Sequence, residues 1–150
     1  MKLVAWLGGF GLDKELFVER EVVDSILSYA QILHPRESIL LLRGKVDKHK
    51  LVINDTQLPP FATHGRAFSA FPLSSLPIDF SVMGVAHSHP SGALRPSATD
   101  LNKFYGRIMV ITAYPYQSER NLAVFNRQGS PLKYKIIWAC SWLHPSFEPF

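Results

Sequence analysis

The sequence predicts an α+β chain (α/β in the broad sense), a sandwich with a mixed, curved β-sheet flanked by helices. Three observations carry that prediction. In residues 19–33 the apolar positions Val22, Val23, Ile26, Leu27, Ala30 and Leu33 recur at helical spacing. Short runs rich in Ile, Leu and Val, bounded by glycine, proline or charged turns, stand on both sides of the helical stretches. The composition, 47% apolar and 19% charged over 150 residues, suits one core and one domain over residues 1–150, centred on about 17–138.

The elements follow in order. Residues 1–12 are apolar and glycine-rich, an added edge strand or a packing arm, and 16–18 form a short strand. The helix over 19–33 ends at His34-Pro35, because proline disfavours helix at the residue before it. Residues 37–44 make an apolar strand closed by Gly44, 45–50 a charged turn, and 51–58 a strand broken by Pro59 and Pro60. A strand over 66–71 and a turn or loop over 72–77 follow. Residues 80–86 read as a buried strand that must end by Pro90, which has no N–H for a ladder. A loop over 91–96 leads to a helix from about 97 to 105, stopped by Gly106, and 108–113 is a buried strand. Residues 114–120 turn, and 122–126 pairs with 133–138 as a hairpin around 127–130. The aromatic stretch 138–150, with two prolines, packs on the domain.

The net charge of +4 comes from scattered Lys and Arg without a long run, which favours acidic protein partners over nucleic acid. Cys140 is the one cysteine, so no internal disulfide or cysteine-based zinc knuckle forms. The apolar start lacks a small-x-small cleavage site and runs into Asp13, Lys14 and Glu15, and no stretch has the length of a membrane span. A soluble, cytoplasmic protein, monomer or homodimer, is expected.

The chemistry concentrates in residues 86–100. His87 and His89 are two apart, so on a strand both imidazoles project from one face, while Ser88 faces the other way and receives no catalytic role. The loop then brings Ser97 and Asp100 back. Two imidazoles and a carboxylate, with a fourth position open to water, are the ligand set of a catalytic zinc. Ser97 and Asp100 have a second reading as helix N-cap and first-turn acid, and taken alone that reading carries the larger weight. The two are compatible, since a cap that fixes the helix start also fixes Asp100. Glu37, heading an apolar strand, reads from sequence alone as a solvated turn residue. His34, His49, His64 and His144 fall in turns or loops without paired ligand spacing, and Cys140 lies among tryptophans as a packed residue.

Taken as one string, His-x-His-Pro, six residues, then Ser-x-x-Asp resembles the motif of the JAMM (MPN-plus) zinc metallopeptidases without a gap. The segment from His34-Pro35-Arg36-Glu37 to Gly44, and Tyr114-Pro115-Tyr116 with its following strand, are similar to archaeal JAMM isopeptidases that release small modifier proteins from lysines. The resemblance spans about 17–138 and implies the deaminase-like JAMM sandwich, one Zn²⁺ on His87, His89 and Asp100, Glu37 as general base and Ser97 as oxyanion donor. It implies hydrolysis after the C-terminal glycine of a ubiquitin-like protein, the tail lying extended along a sheet edge. Three alternatives stand beside it: processing of a ubiquitin-like sulfur carrier or fusion, a RadC-like protein, and a non-catalytic MPN scaffold.

Overall fold

The structure, a computed structural model, describes residues 13–60 and 78–139. The expectations for 1–12, for the strand at 66–71 and the loop at 72–77, and for His64, Cys140 and His144 lie outside the described residues, as does nearly all of 138–150.

Strand β1 (Glu15–Glu19) leads into helix α1 (Arg20–Leu33), which buries Val22, Val23, Ile26, Leu27 and Ala30 as its spacing requires. The helix begins one residue later than its periodicity suggests, with Glu19 in extended conformation at the N-cap, and ends where His34 N–H bonds the Ala30 carbonyl. Strands β2 (Ile39–Val46) and β3 (Lys50–Gln57) follow. Gly44 does not close β2; it sits at a register shift beside Arg43, and the strand runs on to Val46. A Cβ at Gly44 would stand 2.0 Å from the Val52 carbonyl oxygen, so the bulge is passable only without a side chain.

Strand β4 (Val82–His89) starts two residues later than the expected 80 and stops before Pro90 as required, carrying both histidines inside the ladder. Helix α2 (Ala98–Asn102) is shorter than expected, and Gly106, at φ 81°, lies beyond its end, turning the chain into β5 (Ile108–Ala113). A 3-10 turn at Glu119–Asn121 precedes β6 (Leu122–Phe125), then β7 (Pro131–Leu132) and β8 (Lys135–Ile137).

Among the described residues eight strands form one mixed sheet in the order β7-β6-β5-β4-β2-β3-β1-β8. The expected hairpin is therefore split. Strand β6 pairs with β7, whereas β8 crosses to the other edge and pairs parallel with β1. Leu132 and Lys135 are three residues apart, a reach of at most about 11 Å. The two sheet edges must come within that distance, which curls the sheet into a half-barrel. Helix α1 packs on one face with Leu16, Val18, Leu40, Leu42, Leu51 and Ile53, and Phe104, just after α2, packs on the other with Leu41, Val85, Met109, Ile111 and Phe125.

Candidate metal centre

At the middle of the sheet β4 pairs antiparallel with β2, Ile39 facing His87, and parallel with β5, His87 facing Ile111. His87 and His89 share the face of Val85, the side covered by Phe104 and α2. Continued by two residues, the Ile39–His87 register sets Glu37 across from His89, and the Ser88 N–H bonded to the Ser38 carbonyl at 3.1 Å shows that the ladder reaches that far.

Ser97 and Asp100 meet the histidines from α2. Ser97 Oγ accepts the Asp100 N–H at 3.1 Å, and Asp100 Oδ2 accepts the Ser97 N–H at 2.6 Å, a reciprocal capping box. Both readings of this pair hold together, for the bonds that cap the helix aim the carboxylate at the histidines. Asp100 Oδ1 lies 3.7 Å from His87 Nδ1 and Oδ2 lies 3.2 Å from His89 Nε2. One ligand atom from each of the three residues lies within 4.8 Å of the others.

His89 Nδ1 is 2.8 Å from the Ala93 carbonyl oxygen. A carbonyl only accepts, so Nδ1 carries a proton, and Nε2, which faces Asp100 and the cleft, is the nitrogen available to a metal once its own proton is gone. This donor set, two imidazole nitrogens and a carboxylate oxygen, fits one zinc ion, and the Ala93 carbonyl already holds the far nitrogen of His89.

Electrostatics bear on the same atoms. Burial drives the His87 pKa down to about 4, against the pull of Asp100, so the imidazole is neutral at pH 7. Burial also lowers His89, but its contacts with Asp100, the Ala93 carbonyl and the charge of Glu37 outweigh it and raise its pKa. Asp100 is desolvated, yet the hydrogen bond with His89, the charge of His87 and the bonds from Ser97 hold it well below the usual carboxylate range.

His89, Ser97 and Asp100 line a cleft of about 740 Å³ together with Pro35, Arg36 and Glu37 from one segment and the loop from Pro90 to Pro96 from another, while His87 is buried and does not line it. Glu37, exposed and ambiguous in sequence, is brought beside the cluster. Sequence reasoning missed Arg36 and Arg95, which put a guanidinium on each side of the cleft, and the Ala93 carbonyl, which has no side-chain signal. His34 is stacked on Tyr114 at 4.8 Å and lies outside the cluster; His49, in the turn after Val46, also stands apart.

Residues 19–126 match the model of prokaryotic homologs of the JAB domain. The chain belongs to the prokaryotic JAB family. It is a JAMM-type zinc metallopeptidase, as its relatives also indicate. Over 116 residues it is 39% identical to a Haloferax volcanii protein named probable metalloprotease, covering 67% of this chain and 71% of that protein. A solved JAMM structure, described as a metalloprotease-like zinc site in the proteasome and signalosome, is similar at TM-score 0.61 and 28% identity, over 83% of this chain and 99% of that one. A JAB1/MPN domain protein from Archaeoglobus fulgidus is similar at TM-score 0.60 and 32% identity, over 80% and 97%. The half-barrel with its two helices is the fold of these JAB/MPN proteins. Among the described residues no helix is long and apolar enough to cross a membrane.

Proposed function

We propose that this JAB-family protein, acting in the cytoplasm as a single domain over residues 1–150, hydrolyses the isopeptide or peptide bond after the C-terminal glycine of a ubiquitin-like modifier. His87, His89 and Asp100 hold the zinc ion, Glu37 is the general base and Ser97 the oxyanion donor. The observation that carries this reading is the convergence of Glu37 on the cleft that His89, Ser97 and Asp100 line.

Zinc, when bound, supplies a Lewis acid and brings the pKa of a coordinated water to about 7. The residues of this chain do the rest. Glu37 takes a proton from the attacking water and returns it to the leaving amine. Ser97 Oγ already accepts the Asp100 N–H, which leaves its hydroxyl proton to donate to the developing oxyanion. The Ala93 carbonyl keeps His89 in its ligating tautomer.

The described sheet edges, β7 and β8, are separated from β4 and β2 by two strands on either side. The substrate tail is therefore assigned to the cleft, extended between residues 35–37 and 90–96, rather than to an edge of the described sheet.

The test is cleavage of a ubiquitin-like protein joined through its C-terminal glycine to a lysine, with Glu37→Gln alongside. Cleavage by the wild type alone supports the isopeptidase. No cleavage by zinc-loaded wild type overturns that substrate and redirects the search to ubiquitin-like sulfur-carrier fusions.

A further inference from the structure

Strand β4 uses both of its faces at this site. His87 and His89 point into the α2 side, and Ser88, fully buried between them, points to the side of α1 and takes no part in lining the cleft. Its Oγ accepts the Ser38 N–H at 2.8 Å, while its own N–H donates to the Ser38 carbonyl at 3.1 Å. In a regular antiparallel pair both partners exchange main-chain bonds. Here the Ser88 hydroxyl accepts in place of its carbonyl.

The Ser38 N–H belongs to the peptide group that joins Glu37 to Ser38. That group is planar, so the bond to Ser88 sets the plane from which Glu37 departs. The Glu37 carboxylate itself makes no hydrogen bond or ion pair among the described residues. Its placement over the cleft therefore depends on its main chain.

We infer that Ser88 is a positioning residue for Glu37, joining the strand that carries the histidines to the segment that carries the base. The inference rests on the reading of Glu37 as general base. A carboxylate freed by about 1 Å loses proton-transfer geometry, a displacement that can cost on the order of a hundredfold in rate.

The experiment is a cycle of Ser88→Ala, Glu37→Gln and the double variant, with Ser88→Thr as the hydroxyl-retaining control. Zinc content, kcat and KM on the isopeptide substrate and exchange of the Ser38 amide proton are measured. Crystal structures of the zinc-loaded wild type and Ser88→Ala add a readout independent of substrate. Expected for Ser88→Ala are unchanged zinc, KM within about twofold, kcat lower by about ten- to a hundredfold, faster exchange at Ser38, and a Glu37 side chain displaced or in several conformers. Ser88→Thr should restore most of kcat, and Ser88→Ala should cost nothing further once Glu37 is Gln.

Equal losses from Ser88→Ala in both backgrounds, loss of zinc together with activity, or an unmoved Glu37 would overturn the inference. A Glu37→Gln variant with near-normal turnover would instead overturn the assignment of the base. The two failures are thus distinguishable.

Discussion

Ser97 and Asp100 bond each other twice, Asp100 Oδ2 accepting the Ser97 N–H at 2.6 Å and Ser97 Oγ accepting the Asp100 N–H at 3.1 Å. One residue is thus both the cap of α2 and the hydroxyl beside the cleft. Ser97→Ala should cost about 1 kcal/mol of stability as a lost cap and also lower kcat by about a hundredfold or more as a lost oxyanion donor. Thermal denaturation and steady-state kinetics on the same preparation separate the two effects. A loss of stability with unchanged kcat would leave the cap as the residue's whole role.

His89→Ala should lose metal and activity together, because it removes one of the three atoms that converge within 4.8 Å. Metal analysis after dialysis reads the first and cleavage the second. Wild-type zinc occupancy in this variant would rule out His89 as a ligand. A chelator should abolish activity in the wild type, and added zinc should restore it.

Glu37→Gln keeps the shape of the side chain and removes its basicity. Zinc content should stay at the wild-type level while kcat falls by about a hundred- to ten-thousandfold. Near-normal turnover would mean that the proton goes elsewhere.

The buried His87 makes the metal-free protein sensitive to acid. Its pKa is depressed to about 4 in the folded chain, against about 6.5 when unfolded. Between those values the unfolded chain binds a proton that the folded chain refuses, so stability falls as pH drops through that window. The raised pKa of His89 has the opposite sign, but its stabilising effect is fully present below about 6.5 and adds no slope there. The loss attributable to His87 is on the order of 3 kcal/mol. Denaturant melts of metal-free wild type and His87→Gln between pH 7 and pH 4 should show a shallower dependence in the variant. Parallel curves would contradict the assignment.

Much of the site was legible in the chain because its determinants are local. Two histidines at strand spacing and a serine cap three residues before Asp100 depend on near neighbours, and the structure places these four residues on the strand and at the helix start as those patterns require. Glu37 was different. From its neighbours alone it reads as a solvated turn residue, and the resemblance to JAMM proteins, rather than periodicity, singled it out. Alternation puts Ser88 on the face away from the cleft, as observed, but it tells where a side chain points and not that the Ser38 N–H meets it there.

The fold divides in the same way. Helix α1, the buried strand β5 and the stop at Pro90 follow from apolar spacing and from proline's missing N–H, and the sequence alone determined them. It likewise determined that His87, His89, Ser97 and Asp100 form one unit. The tertiary structure alone decided that β8 leaves its neighbour β7 for the opposite edge, that β2 runs on past Gly44, and that Glu37 stands across from His89. Those outcomes are matters of register between strands distant in sequence. Register is selected by burial of whole faces of the sheet, a collective property that no short window of residues contains.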